Sequence, residues 1–265
     1  MVDYKFKDRY NINDLVDIVE ILRKPDGCPW DMEQTHSSIR MDFIEEVYEA
    51  IEAIDNGDTA LLREELGDVL LQVVFHTQIE REQNSFNLDD VCDEVCKKLI
   101  IRHPHVFGEV KVADTGEVLN NWDAIKQQTK GQTTYTETLE SVAVSLPALL
   151  RAQKVGKRAA KSGMDFPDAE SAIKNICGEL DELEEAAKNG DKDRIADEMG
   201  DVLFSCVNAA RKLGVNSEEC LTAATEKFIR RFAAVESEVR GQGRSMDDFT
   251  TEQLDEIWNR IKHSI

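Results

Sequence analysis

One segment of this chain is written twice, and the duplication limits what it can fold into. Glu46-Val47-Tyr48-Glu49 is followed by Glu65-Leu66-Gly67-Asp68, and Glu179-Leu180-Asp181-Glu182 is followed at the same distance by Glu198-Met199-Gly200-Asp201. Between the halves lie the same three residues, Asn56-Gly57-Asp58 and Asn189-Gly190-Asp191. From Glu46 to Val74, about 13 of 29 positions repeat in the second copy without a gap, which marks an internal duplication. The unit is too long for a stacked solenoid, so the chain reads as two related domains, 1–130 and 139–265. The stretch 129–138, rich in Thr, Gly and Gln, is the linker candidate.

Residues three apart on an α-helix share a face, so Glu46 projects with Glu49, and Glu65 with Asp68. Asn-Gly-Asp is a helix stop followed by an N-cap: glycine suits the position after the last turn, and aspartate caps the next helix. Each copy is therefore expected to form an antiparallel helical hairpin, with helices over 38–55 and 58–83 and again over 168–188 and 191–213. Four carboxylates then converge: Glu46, Glu49, Glu65 and Asp68 in the first copy, and Glu179, Glu182, Glu198 and Asp201 in the second. Without a counter-charge such a group repels itself and takes up protons. A hard divalent cation, Mg²⁺ or Mn²⁺, is the natural counter-charge, since it prefers oxygen ligands and bridges to phosphate. The plainer alternative is an exposed acidic face, and the recurrence of both halves at fixed spacing argues against it. Gly67 and Gly200, set inside helical patterns where glycine costs ~1 kcal/mol against alanine, suggest a close helix approach beside the site.

Helical periodicity runs through the rest of the chain, and no stretch alternates as a strand does. Helices are expected over 11–24, capped near Asn13, and over 88–102, 118–129, 147–160, 216–240 and 250–263. The fold class is all-α. Between the first helix and the first hairpin lies Cys28-Pro29-Trp30-Asp31-Met32-Glu33-Gln34-Thr35-His36, a loop that fits either a packed tryptophan with a satisfied polar edge or a functional surface.

Basic and aromatic residues recur beside the carboxylates. Lys227, Arg230 and Arg231 follow the second hairpin, as Lys98 and Arg102 follow the first. Trp122 precedes Lys126 by four residues, and Trp258 precedes Lys262 likewise. Lysine and arginine can offset phosphate charge, and tryptophan can stack on a base; the alternatives are a solvated basic face and a core aromatic. Asn175 and Arg194 each lie one turn before a carboxylate, at Glu179 and Glu198, and are expected to face the same pocket.

Net charge is −21, from 53 acidic against 32 basic residues. That balance argues against nucleic acid and anionic membranes as partners. No apolar run is long enough for a membrane span, and no signal-peptide core opens the chain. Six scattered cysteines without a CxxC pair fit reduced thiols in the cytoplasm.

The combination of motifs resembles the MazG family of nucleoside triphosphate pyrophosphohydrolases. Glu45-Glu46-Val47-Tyr48-Glu49 matches EExxE, Glu65 to Asp68 matches ExxD, and the loop from Gly27 to His36 matches GCPWDxxQTH; Trp122 with Lys126 matches WxxxK. The likeness covers nearly the whole chain. It implies an all-α fold, Mg²⁺ dependence, a homodimer or higher oligomer, and hydrolysis of NTP to NMP and pyrophosphate. The second copy departs at Gly178, where a second glutamate would stand, and at Asp165-Phe166, where the family shows Asp-Trp. On this reading Glu179, Glu182, Glu198 and Asp201 hold the metal, and Glu182, with Glu179 and Glu49 as further catalytic candidates, orients or deprotonates water. If one copy works, the second is favoured for its denser basic cluster and more acidic surroundings. A di-iron carboxylate protein would need paired Glu-x-x-His motifs, and only Glu33 to His36 offers one. A regulatory helical scaffold binding Mg²⁺ or nucleotide without turnover is the other alternative.

Overall fold

The computed structural model describes residues 4–112, 114–129 and 131–263, without the side chains of 119, 120, 123, 124 and 127–129. The outer bounds of the two expected domains, at 1, 130 and 265, lie outside the described residues. Every regular element among the described residues is helical. The chain divides into two compact units, Met1–Lys126 and Gln127–Ile265.

The first unit opens with α1 (Ile12–Leu22), α2 (Pro29–Glu33), α3 (Arg40–Asn56) and α4 (Thr59–Glu82). It continues with α5 (Leu88–Arg102), α6 (Pro104–Phe107) and α7 (Thr115–Thr129), and the division falls in the last turn of α7. Asn11, not Asn13, caps α1: its side chain accepts from two backbone amides while Asp14 returns the bond to the cap. α3 and α4 form the hairpin, and Gly57 between them takes φ 66°, a left-handed conformation that costs glycine least. α1 packs on α4, and Val19, Ile39, Val74, Phe75 and Ile79 form the unit's core.

The second unit runs α8 (Tyr135–Glu140), α9 (Ala148–Lys161), α10 (Ala169–Asn189), α11 (Lys192–Lys212), α12 (Ser217–Gly241), a short 3-10 turn (Met246–Asp248) and α13 (Thr251–Lys262). α10 and α11 repeat the hairpin, with Gly190 at φ 68°. α8 begins inside the stretch expected as a linker. Thr134 caps it through a reciprocal bond with Glu137, and Arg158 of α9 donates to the Thr138 carbonyl at its end. α2 and α6 were not expected either; each is a single turn opened by a proline, too short to show periodicity.

The first helix of each hairpin buries only small residues: Ala50 and Ala53 on α3, Ala172 and Ala186 on α10. Larger apolar side chains are left outward, among them Met41, Ile44, Val47, Tyr48, Ile51 and Ile54 on α3, and Leu203 and Phe204 on α11. No helix among the described residues is long and apolar enough to cross a membrane.

The loop before each hairpin is tied down by ion pairs. Arg23 forks onto Glu82 with two bonds of 2.8 Å and donates to the carbonyls of Asp31 and Gln34 at 2.7 and 3.0 Å. In the second unit Asp165 accepts from Arg211 at 2.5 Å and from Lys212 at 3.3 Å. The Arg211 guanidinium bond, followed by Lys212, holds the Asp165 carboxyl down to about 2. A carboxyl lowered on folding stabilises the fold above its unfolded pKa, and that contribution fades as pH falls through the folded value. Asp165→Asn is therefore expected to cost about 1 kcal/mol near neutrality, after screening of a partly exposed pair. Denaturation of both forms should show the gap closing as pH falls from about 4 toward 2. A gap that stays constant across that range contradicts the assignment.

Candidate metal and nucleotide site

The hairpins bring the expected carboxylates together in two groups that differ. In the first copy the close group is Glu46, Glu49 and Glu65, with ligand oxygens all within 4.8 Å of one another. In the second it is Glu179, Glu198 and Asp201, on the same criterion. Asp68 and Glu182, the remaining members of each expected quartet, stand outside these groups. One glutamate in each is buried, Glu65 at 8% and Glu198 at 9% exposure. No histidine or cysteine joins either group, and no di-iron pattern of paired histidines occurs among the described residues.

Among the described residues no arginine or lysine bonds to the first copy's group. Burial, then the charges of Asp68 and Glu49, push the Glu46 carboxyl above its ordinary range. Burial followed by Glu49 and Asp68 does the same to Glu65. A group in this state is short of positive charge.

The second group carries partners of its own. Arg194 Nε donates to Glu198 at 3.2 Å, and its guanidinium lies 3.9 Å from Glu185. The Glu198 bond first, then the charge of Glu185, bind the arginine's proton more tightly than usual. Asn175 Nδ2 donates to Glu179 at 3.0 Å and to Ser205 at 2.8 Å. Arg194 and Asn175 were legible from their one-turn spacing. Ser205 was not, because a serine inside a helix carries no motif.

The other basic and aromatic candidates are placed differently. Lys227 and Arg230 are exposed on α12, and Arg231 donates to the Lys262 carbonyl at 3.5 Å, with Lys262 itself exposed. Trp258 packs on the core formed by Val235, Val239, Ile257 and Ile261, its ring 5.1 Å from Phe228. That is the core-aromatic arrangement weighed against base stacking. Arg102 lies over Trp122 at 5.7 Å, and His103 meets the same ring edge-on at 4.9 Å. Lys98 is exposed on α5, and Lys126 is partly buried on α7.

A Cβ added at Gly67 or Gly200 would meet nothing within 4 Å among the described residues, so neither glycine serves a close helix approach there. Trp30 is 62% exposed, so its loop is not built around a packed tryptophan. The loop is held instead by Arg23 and by His36, which contacts His76 and Glu80 at 2.7 Å each. All six cysteines are free.

Comparison with known proteins agrees with the duplicated hairpins. The model of the MazG nucleotide pyrophosphohydrolase domain matches residues 34–107 and 168–235, one match in each copy. The Thermotoga maritima protein named nucleoside triphosphate pyrophosphohydrolase/pyrophosphatase MazG is 43% identical over 94% of this chain and 94% of its own. The Escherichia coli K12 nucleoside triphosphate pyrophosphohydrolase is 41% identical over 95% of this chain and 97% of its own. Bacillus subtilis YabN is 42% identical over 93% of this chain, which spans 50% of that protein.

Proposed function

Because this chain belongs to the MazG nucleotide pyrophosphohydrolase family, we propose that it hydrolyses nucleoside triphosphates to nucleoside monophosphates and pyrophosphate at a divalent-metal site in its second copy. The observation that carries the reading is the group Glu179, Glu198 and Asp201, with Arg194 and Asn175 already bonded to its members. An all-oxygen donor set suits Mg²⁺ or Mn²⁺. The raised carboxyls of Glu46 and Glu65 point the same way for the first copy, since a divalent ion supplies the charge they lack. When bound, such an ion offsets triphosphate charge and polarises phosphorus.

The chain's own residues do the rest. Glu182 is one turn from Glu179, exposed and outside the close group, which leaves its carboxylate free to orient or deprotonate water. Arg194, with Lys227, Arg230 and Arg231 of α12, would carry phosphate charge; Lys262 and the side of Trp258 that its core packing leaves partly exposed would border the nucleoside. The first copy has the corresponding set in Lys98, Arg102, Trp122 and Lys126. There a second reading has support: metal or nucleotide binding without turnover. Glu49 is drawn into the close group where Glu182 is not, and Leu61 occupies the position equivalent to Arg194. Deoxynucleotides and damaged nucleotides belong to the same substrate class. The free thiols fit a reducing compartment such as the cytoplasm.

Incubating the protein with each NTP and Mg²⁺ and resolving products by chromatography tests the reaction class. Monophosphate and pyrophosphate are expected as first products, and diphosphate with orthophosphate would overturn it. The exposed apolar residues Met41, Ile44, Tyr48 and Ile51, which share one face of α3 by helical spacing, support a homodimer or larger assembly, because contiguous apolar faces mark association surfaces. Light scattering at micromolar concentration is expected to give at least twice the 30.0 kDa chain mass, and a fully active monomer contradicts it.

A further inference from the structure

We infer that Ser205 and Asn175 act together to position Glu179 as a metal ligand; this rests on reading the second carboxylate group as the metal site. Asn175 lies one turn before Glu179 on α10, and its Nδ2 reaches Glu179 Oε1 at 3.0 Å and Ser205 Oγ at 2.8 Å. An ionised carboxylate only accepts, so the nitrogen side of the amide must face Glu179. That nitrogen carries two hydrogens, enough for both contacts. Ser205 therefore accepts from Asn175, and its own hydrogen is free to run to the same Glu179 oxygen at 3.4 Å. The three side chains close a triangle.

The triangle joins two helices. Ser205 sits on α11, one turn beyond Asp201, and is 4% exposed. Helix serines and threonines commonly return the hydroxyl to a carbonyl one turn back, as Thr77 and Thr225 do here. Ser205 crosses to α10 instead. Glu179 on α10 is thereby fixed relative to Glu198 and Asp201 on α11, with one of its oxygens left outside the triangle. Bonds of this kind orient a metal-binding carboxylate before the ion arrives. The first copy cannot build it: the equivalent positions hold Asp42 and Gln72, and the Gln72 side-chain oxygen is buried without a partner. Asn175 also spends both amide hydrogens inside the protein, so its role is to position Glu179 rather than to donate to the nucleotide.

The test uses the full chain carrying Ser205→Ala or Asn175→Ala, with Ser205→Thr to restore the hydroxyl. Mn²⁺ binding without nucleotide is followed by electron paramagnetic resonance, in a Glu46→Gln background that weakens the first copy. Both variants are expected to bind Mn²⁺ about tenfold more weakly, and to need about tenfold more Mg²⁺ for half-maximal turnover, with little change in kcat at saturating Mg²⁺. Ser205→Thr should recover most of the loss. Unchanged Mn²⁺ affinity with only a lowered melting temperature overturns the inference, and so does an Asn175→Ala effect confined to the NTP KM. Glu179→Gln separates the two levels of argument. If it leaves Mn²⁺ binding and turnover intact, the metal-site reading itself fails; if it removes both while Ser205→Ala and Asn175→Ala change neither, only the positioning role fails.

Discussion

Glu182→Gln is expected to lower turnover at least about 10²-fold, while Glu49→Gln lowers it less. The two residues are equivalents in the duplication, so the difference must come from their surroundings. Glu49 is part of the close carboxylate group of its copy, whereas Glu182 is not drawn into the close group of its own, is exposed on α10, and faces the Arg194 charge that Glu49 lacks. A glutamate committed to a shared cation cannot also take a proton from water; a free one can. The second site is also better prepared, since Arg194 and Asn175 hold Glu198 and Glu179 before any ligand arrives. The substitution is near-isosteric at an exposed helix position, so circular dichroism should be unchanged. If Glu49→Gln abolishes turnover and Glu182→Gln leaves it intact, the catalytic copy is the first.

Chelating divalent cations is expected to abolish turnover, and Mg²⁺ or Mn²⁺ to restore it. A triphosphate approaching this chain meets a net charge of −21 and a group of converging carboxylates, so without metal the substrate is repelled where it must bind. The same charge deficit has a stability signature. Glu46 and Glu65 have carboxyls raised by burial and by their acidic neighbours. A carboxyl raised on folding favours the fold at low pH, and that advantage is lost as pH rises through the folded value. The metal-free protein is therefore penalised near neutrality, and a divalent ion removes the penalty. Mg²⁺ should raise the melting temperature more near neutral pH than in mild acid, where protons compete for the same oxygens. Turnover that survives exhaustive chelation contradicts the metal requirement.

The hairpins were legible because two independent signals coincide in each: a carboxylate pattern at helical spacing and an Asn-Gly-Asp turn whose glycine adopts φ 66° or 68°. The one-turn positions of Asn175 and Arg194 followed from helix geometry alone. Less legible was anything decided by side chains reaching between helices. Ser205 is equivalent to Gln72, so comparing the copies gives no hint of it, and only the fold brings it within 2.8 Å of Asn175. The ties of Arg23 to Glu82 and of Asp165 to Arg211 span dozens of residues and follow no local rule. Gly67 and Gly200 show the converse. Their helical setting implied a packing reason, yet the space beside each is open, and no packing contact among the described residues explains either glycine.

The most direct measurement is product analysis on the full chain with the first copy disarmed by Glu46→Gln and Glu49→Gln, its fold verified by circular dichroism. Incubated with NTP and Mg²⁺, this variant is expected to release nucleoside monophosphate and pyrophosphate in equal amounts at a rate near that of the unaltered chain. Loss of turnover, or release of diphosphate and orthophosphate, would contradict the account.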